Sequence, residues 1–190
     1  VQPQQRDYAK QLAYGLLYFK GAHALAVDLS CDVKQAARHH ESFMQSIPDV
    51  DAWRKTVIDE CKNHASMCVQ TLGNRRRYLH NIKSHNTSSS AQAERQAVNT
   101  VCQGSAADLV KLAMIQLHKQ LHQQFPGGTC RLLLQVHDEL LFEVKSSVLQ
   151  QACSLIKNCM ENAVALSVPF PVKLRVGPSW GELEPYHLQL

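Results

Sequence analysis

The sequence predicts an α+β fold in which helices come first and a small antiparallel sheet, covered by helices on one face, comes later. The first observation is the helical spacing of apolar residues over most of residues 3–123. The second is a pair of short apolar runs, residues 132–136 and 140–144, each with the length of a buried strand. A dense polar trio separates the two runs and predicts a tight hairpin between them.

Three helices are predicted in the first part of the chain, at residues 3–19, 33–46 and 49–65. Pro48 separates the second from the third, and Asp32 and Asp49 occupy N-cap positions. Residues 69–72 fit either a short strand or an irregular connection. The polar stretch at residues 73–90 predicts an exposed loop.

Helical patterning resumes over residues 91–123 and ends at the turn formed by Pro126, Gly127 and Gly128. The sequence Gln-Gly-Ser at residues 103–105 interrupts it, either as a bend or as a break between two helices. The small residues that follow Gln103 permit close packing against another element.

A last helix and a last strand follow the hairpin. Ser146 or Ser147 is expected to cap a helix that runs to about Leu166 along an apolar stripe. Residues 172–176 lie between Pro171 and Gly177, and we expect them to form the final strand.

Composition restricts the class of protein. Apolar residues make up 45% and charged residues 19% of the 190, as is typical of a soluble globular protein. No apolar run is long enough for a membrane span, so no membrane partner is expected. The start of the chain lacks an initiator Met and a signal peptide, and it looks like an internal cut in a longer protein.

The seven cysteines are odd in number and none has Cys-x-x-Cys spacing, which favours reduced thiols in an intracellular protein over a disulfide frame or a zinc site. His118 and His122 are spaced to share a helix face, but the sequence offers no third metal ligand.

Positive charge is concentrated in one stretch of a chain whose net charge is +4. Arg75, Arg76 and Arg77 are followed by further histidines and a lysine before Glu94 introduces a negative charge. Such a cluster is typical of a phosphate-binding surface, and it also fits a solvated basic loop.

The first predicted helix carries two cations and two aromatic residues at intervals of four. Arg6 and Lys10 suit phosphates, and Tyr14 and Tyr18 suit a sugar or a base, so the row fits a nucleotide. An amphipathic helix with packed tyrosines and solvated cations explains the same pattern.

A second row is formed by Arg95, Asn99 and Gln103, again four residues apart. If the helix continues to Gln103, the guanidinium and amide groups line one face. Such groups suit the minor groove of DNA, where acceptors dominate. A polar helix surface is the other interpretation.

The polar trio at the hairpin is His137, Asp138 and Glu139. A carboxylate pair at a rigid strand turn suits a hard divalent cation such as Mg²⁺, although an ordinary polar turn has the same composition. One aspartate cannot hold the two metal ions used in nucleotidyl transfer, and no second compelling acidic site is present.

Five blocks in chain order resemble the C-terminal part of family A DNA polymerases. Arg6-(x3)-Lys10-(x3)-Tyr14-Gly15-(x2)-Tyr18 resembles the fingers helix, motif B. The triple arginine with Tyr78 and Leu79 resembles the Gly-Arg-Arg-Arg-Tyr-Leu segment. The other blocks are residues 94–108, which resemble the next helix, residues 134–140, which resemble motif C of the palm, and residues 168–181, which resemble the C-terminal end. Within the family, the blocks are most similar to the animal theta and nu branch.

The resemblance implies a role for each matching residue. Arg6 and Lys10 would bind the triphosphate of the incoming dNTP, Tyr14 would pack on its sugar and Tyr18 would lie against a base. Asp138 would bind the catalytic Mg²⁺, Glu139 would be an accessory carboxylate and His137 would lie near the primer terminus. The residues implied in contacts with primer-template DNA are Arg95, Asn99 and Gln103, beside the basic triplet Arg75, Arg76 and Arg77.

The resemblance also implies an architecture and a setting. Residues 1–90 would form a helical, fingers-like region, and residues 91–190 a partial palm with the metal-site hairpin. The partners would be primer-template DNA, dNTP and the remainder of the polymerase polypeptide. The setting would be nuclear DNA repair or replication.

Three departures from the family pattern carry expectations of their own. The second metal-binding aspartate, in motif A, lies upstream of the fingers helix in the family, so the isolated chain is expected not to polymerise. Phe19 stands where the family usually has glycine, which puts fingers closure in doubt. Asn74 adds one residue before the arginines and either redirects the basic loop or is a benign insertion. A non-catalytic DNA-binding remnant of the polymerase fold is therefore the alternative function.

Overall fold

The computed structural model describes Arg6, residues 9–10 and 13–15, and residues 20–188. The described residues before Lys20 are helical, as the sequence predicts for this segment. The chain divides into two compact units, Val1–Ser105 and Ala106–Leu190.

The first unit contains four helices over residues 20–105. Their bounds are α1 (Ala22–Leu29), α2 (Val33–Ser46), α3 (Pro48–Asn63) and α4 (Thr87–Asn99). Helices α2 and α3 confirm the prediction for residues 33–65. Helix α1 was not predicted, because its sequence is apolar on several sides and shows no clear stripe.

The predicted caps of these helices differ in outcome. The Asp32 carboxylate accepts a hydrogen bond of 2.9 Å from the Gln35 backbone N–H and caps α2, as predicted. Asp49 does not cap α3, because Pro48 already occupies the first turn and Ile47 is the N-cap. Asp49 instead places a negative charge in the first turn, where the helix dipole favours it.

Residues 73–90 are more ordered than the predicted loop. Strand β1 (Cys68–Gln70) pairs antiparallel with β2 (Arg76–Tyr78), and a 3₁₀ turn (His80–Lys83) follows. The prediction of a loop was wrong, because β2 has no apolar face that would identify it as a strand. The segment after β2 is held in place by Ile82, which is fully buried in the core.

The core of the first unit joins α3, the β1–β2 hairpin, the 3₁₀ turn and α4. Cys61, Ile82 and Ala97 are fully buried at its centre. Lys62 on α3 and Glu94 on α4 form an ion pair of 2.7 Å beside it. Because α4 packs in this core, the compact unit extends beyond residue 90, the expected limit of the fingers-like region. The functional division at that residue stays a prediction.

The interruption expected near Gln103 is a π-helical turn (Thr100–Gly104). It joins α4 to α5 (Ser105–Gln124) without ending the helical path. Single π-turns inside α-helices are rare and often mark functional sites.

The second unit is built on β3 (Cys130–Val136) and β4 (Glu139–Val144), which pair antiparallel, and on α6 (Leu149–Glu161). Leu117 and Leu121 of α5 pack with Ile156 of α6 in its core, and alternate residues of β4 cover them. The hairpin and the covering helices confirm the predicted α+β fold.

Three details of the second unit differ from the predictions. Ser146 and Ser147 lie in a 3₁₀ turn and do not cap α6, whose N-cap is Val148. The helix ends at Glu161 rather than near residue 166. The predicted final strand is β5 (Leu174–Val176), which pairs with a later, unpredicted strand, β6 (Glu184–Tyr186). The described strands therefore form three separate two-stranded sheets.

All seven cysteines are free thiols. Burial raises the pKa of five of them, which keeps these thiols protonated and unreactive. They are Cys61, Cys102, Cys130, Cys153 and Cys159. In the part of the chain that the structure describes, no helix is both long and apolar enough to cross a bilayer.

Candidate nucleic-acid interface and metal site

The basic triplet follows a tight turn between β1 and β2. The Asn74 N–H donates to the Thr71 carbonyl at 2.9 Å, and the Thr71 N–H donates to the Arg75 carbonyl at 3.0 Å. Asn74 has a φ of 59°. This is the pattern of a three-residue loop that ends in a left-handed residue, a position where glycine or asparagine is tolerated. The residue added before the arginines is thus accommodated by the hairpin.

Two of the three arginines reach from the hairpin to the π-helical turn. Arg75 Nη2 donates to the Gly104 carbonyl at 3.0 Å, and Arg77 Nη1 donates to Thr100 Oγ1 at 3.2 Å. Both arginines are exposed residues. The contacts therefore orient the two guanidinium groups.

The same two elements touch directly at Gly104. A Cβ atom on Gly104 would lie 2.5 Å from Thr71 Cγ2, which is closer than side chains pack. Nearby, the Leu72 N–H donates to Ser105 Oγ at 2.9 Å, and Ser105 Oγ donates to the Val101 carbonyl. The small residues at 104 and 105 thus allow the close packing that the sequence predicted for them.

A groove of about 400 Å³ lies between the hairpin and the π-helical turn. Its lining combines cationic, amide and hydroxyl groups. The lining residues are Thr71, Arg75, Arg76, Arg77, Asn99, Thr100, Gln103 and Gly104. We call it the basic groove.

The basic groove brings together five of the six residues predicted to contact DNA. Arg95 does not line it and is exposed on α4, one turn before Asn99. The sequence missed Thr71 and Thr100, which form the contact between the two elements together with Gly104. A threonine or glycine in a helix or beside a turn is too common to indicate such a role, and only the Gly104–Ser105 pair gave a signal.

The polar trio lies at the tip of the β3–β4 hairpin, as predicted. Val136 pairs with Glu139, so His137 and Asp138 form a two-residue turn, and all three residues of the trio are exposed. His137 has a φ of 55°, a left-handed conformation that costs a non-glycine residue about 1–2 kcal/mol. Gln135 Nε2 donates to the His137 carbonyl at 3.1 Å and braces the turn.

A β-bulge precedes this turn. Leu132 pairs with Phe142 and Leu134 pairs with Leu141, so Leu133 is the additional residue on β3. A bulge bends its strand and changes the direction of the side chains beyond it. The direction in which the turn projects therefore depends on Leu133.

The donor atoms at the turn fit one part of a magnesium site. Asp138 and Glu139 supply carboxylate oxygens, which Mg²⁺ prefers, on a rigid hairpin. Within the described ranges no group of three histidine, cysteine or acidic side chains could hold a metal ion. Two other carboxylates are engaged in ion pairs, Asp28 with Lys20 and Glu143 with Arg131 at 2.9 Å. The turn can thus supply ligands to a magnesium centre but cannot complete one.

Among the described residues, the histidine pair on α5 has no third ligand either. The rings of His118 and His122 lie 4.3 Å apart, and His122 Nδ1 lies 2.9 Å from the His118 carbonyl oxygen. One nitrogen of His122 is therefore engaged with its own helix.

Three of the four residues predicted to bind a nucleotide are described. Arg6, Lys10 and Tyr14 are helical and exposed, and Lys10 Nζ lies 5.9 Å from the centre of the Tyr14 ring. That distance fits a cation–π contact and places the cation and the ring on one side of the helix. Tyr18 and the neighbouring Phe19 lie outside the described residues.

The chain matches known proteins over nearly its whole length. The family model described as DNA polymerase family A matches residues 1–182. The thermostable DNA polymerase I of Thermus filiformis is 42% identical over 182 residues, which are 96% of this chain and 21% of that protein. DNA polymerase theta of Drosophila melanogaster is 36% identical over 184 residues, 94% of this chain and 9% of that protein. These identities do not single out the theta branch.

A solved structure has the same fold. It is described as the POL domain of Pol1 from M. smegmatis in complex with DNA primer-template and dNTP. The TM-score is 0.82 at 36% identity, over 89% of this chain and 29% of that one. The chain spans about a fifth of the length of its bacterial relatives. By the extent of the family match and the likeness in fold, this chain belongs to DNA polymerase family A.

Proposed function

We propose that this chain forms the nucleotide- and DNA-binding part of a template-directed DNA polymerase. The reaction is the transfer of a nucleotide from dNTP to the 3′-hydroxyl of a primer, with release of pyrophosphate. The observation that carries the proposal is the basic groove, in which arginines of the hairpin are hydrogen-bonded to the helix that presents Asn99 and Gln103. Membership of the polymerase family supports it.

In this proposal the basic groove holds the primer-template. The guanidinium groups of Arg75, Arg76 and Arg77 contact phosphates, which position DNA without reading its sequence. The amides of Asn99 and Gln103 donate to acceptors on base edges in the minor groove. Arg95, one turn before Asn99, extends the positive surface along α4.

The N-terminal helix would bind the incoming nucleotide. Arg6 and Lys10 neutralise the triphosphate, the ring of Tyr14 packs on the sugar, and Tyr18 lies against the base. The contact between Lys10 and Tyr14 supports this arrangement, because it holds a cation and an aromatic ring on the same side of the helix.

The hairpin turn would contribute to the magnesium centre. Asp138 binds the metal, Glu139 supports it as a second carboxylate, and His137 lies beside the primer terminus. When bound, the metal ions lower the pKa of the primer hydroxyl and stabilise the leaving group. Because Asp138 alone cannot hold two ions, we propose that a carboxylate from another part of the polypeptide completes the site and that the 190-residue chain does not polymerise by itself.

A role in DNA repair within the nucleus is part of the proposal. It depends on the likeness to the theta and nu branch, and theta from two animals is among the relatives. Bacterial polymerases match at similar identity, so the branch is a separate proposal from the activity.

Primer extension tests the proposed activity. The isolated chain should bind primer-template without extending it in Mg²⁺. A chimera in which residues 1–182 replace the matching segment of the Thermus filiformis polymerase should extend the primer. Synthesis by the isolated chain would contradict the need for a second carboxylate. A folded chimera that binds DNA but does not extend it would favour a DNA-binding remnant.

A further inference from the structure

The β1–β2 hairpin carries an exposed aromatic pair beside the basic groove. The rings of Tyr78 and His80 are nearly parallel, with an angle of 9° between their planes and 6.2 Å between their centres. Tyr78 is 54% exposed, and His80 is exposed as well. Neither residue lines the basic groove. The stacked pair therefore forms a separate aromatic surface, which we call the Tyr78–His80 platform.

The residue between the two rings explains why they project outward. Leu79 is only 4% exposed and belongs to the core of the first unit. Its backbone N–H donates to the Met67 carbonyl at 2.7 Å. Because Leu79 is fixed in the core, its two neighbours are held away from it. The orientation of the platform is thus set by the fold and does not need a ligand to form.

The strand connects the platform to the arginines. Arg77 precedes Tyr78 in β2, and its side chain reaches Thr100 on the groove side. Successive strand residues point to opposite faces, so the Tyr78 ring lies on the face away from that contact. The groove-side arginine and the exposed ring are therefore adjacent residues that project from opposite faces of one strand.

This combination has a known use in nucleic-acid recognition. Proteins that bind single strands pair a positively charged path for the backbone with aromatic rings on which bases stack. A base in a duplex is already stacked and paired, and only an unpaired base has a free face for Tyr78. The chemistry of the platform thus favours single-stranded over double-stranded DNA.

We propose that the Tyr78–His80 platform stacks on an unpaired base of a single-stranded DNA segment whose phosphates lie on the basic groove. The proposal rests on the proposed function, because it takes the groove to be the DNA site. It adds a specificity for unpaired bases that the arginines cannot supply, since phosphate contacts are the same in single and double strands.

Two probes and three variants of the 190-residue chain test the platform. One probe is a single-stranded oligonucleotide that contains 2-aminopurine, and the other is a blunt hairpin duplex with the same number of phosphates. At one fixed salt concentration, Tyr78→Ala should weaken binding of the single strand about 5- to 100-fold, as expected for one lost stacking contact. Binding of the duplex should change less than about twofold.

The other variants separate stacking from a structural role. Tyr78→Phe keeps the ring and should retain wild-type binding and the quenching of 2-aminopurine fluorescence. Tyr78→Leu keeps apolar bulk without a ring and should behave like Tyr78→Ala, with an unchanged thermal unfolding midpoint.

Other outcomes would overturn either the platform alone or the proposed DNA site together with it. An equal loss on both probes, or full binding by Tyr78→Leu, would overturn the platform. Wild-type protein that binds neither probe would overturn the proposed DNA site together with the platform. Wild-type protein that binds both probes while Tyr78→Ala binds them equally well would overturn the platform alone.

Discussion

The basic groove and the hairpin turn at residues 137–139 are built in different ways. The groove is formed by two elements that hold each other through Arg75, Arg77 and the close approach of Gly104 to Thr71. The turn projects three exposed side chains, and one hydrogen bond from Gln135 braces its backbone. The basic groove is held together by contacts within its own unit. The turn at residues 137–139 instead exposes its functional groups to solvent.

The difference follows from the chemistry of the two ligands. Each cation on a DNA-binding surface acts on a separate phosphate, so a single unit can provide useful binding with a few arginines. A divalent ion needs several oxygen ligands that converge at bonding distance. A surface for phosphates can therefore be complete within a short chain, whereas a hairpin with one aspartate cannot be a complete catalytic centre.

The largest effect is expected at the incomplete site. In the Thermus filiformis chimera, Asp138→Asn should lower nucleotide incorporation at least roughly a thousandfold, because a lost metal ligand removes about 4 kcal/mol of charge stabilisation. The affinity for primer-template should change less than about threefold. Single-turnover extension and fluorescence anisotropy measure the two quantities. A parallel fall in affinity would show that the turn is part of the DNA surface and would remove the contrast between the regions.

The next effect is expected at the contact that closes the groove. Gly104→Ala should lower the free energy of unfolding by about 1–2 kcal/mol, because the strain from the clash with Thr71 exceeds the gain in helix propensity. Urea denaturation of the isolated chain measures it. Thr71→Ser removes the clashing Cγ2 and keeps the hydroxyl that accepts from the Arg75 N–H at 3.2 Å. The double variant should therefore recover most of the loss, and independent effects of the two changes would contradict a direct contact.

A smaller effect is expected from a single phosphate contact. Arg77→Ala should weaken DNA binding by the isolated chain about five- to tenfold and reduce the salt dependence by about one phosphate. Arg38→Ala removes an exposed arginine of the same unit that does not line the groove, and it serves as the charge-matched control. If both variants lose the same affinity, the binding reflects net charge and not the groove.

Structural features were predicted correctly where neighbouring residues in the sequence determine them. The short apolar runs of β3 and β4 and the cap at Asp32 are readable from neighbouring residues, and both the strands and the cap were confirmed. The burial expected for β3 was not, since Leu133 is 51% exposed. Strand β2 was missed because its own residues are polar and exposed and do not reveal the pairing with β1. The π-helical turn was anticipated only as an interruption, since nothing near Gly104 reveals that Thr71 packs against it.

For the candidate site, too, the sequence indicated individual residues but not how they come together. Arg75, Asn99 and Gln103 could be proposed as binding residues from their chemistry and spacing. Their meeting in one groove depends on contacts between segments far apart in sequence, which spacing does not encode. The roles of the hairpin residues stay predictions.

The smallest effect is expected far from both regions, in the second unit. The Glu161 carboxylate accepts from the Lys157 ammonium group and, at 2.8 Å, from the Val172 N–H. The Lys157 hydrogen bond, followed by the Val172 N–H, lowers the pKa of Glu161 below its ordinary value of 4.5. A lowered pKa stabilises the folded state above pH 4.5, and that stabilisation is lost as the pH falls through the folded value.

Wild type should therefore exceed Glu161→Gln in stability by no more than about 1 kcal/mol near neutral pH, because the pair is partly exposed. The difference should shrink below pH 4.5, and Lys157→Met should reduce the same pH dependence. Urea denaturation at several pH values measures both. DNA binding should be unaffected, and any change in it would couple the second unit to the groove.

The buried cysteines are probes of local unfolding in each compact unit. A protonated thiol in a core does not react with an alkylating reagent until the structure around it separates and the thiolate forms in water. Cys61 belongs to the core of the first unit, and Cys130 and Cys159 to that of the second. The order in which these thiols are alkylated therefore distinguishes a chain that opens as one body from a chain whose two units open at different rates.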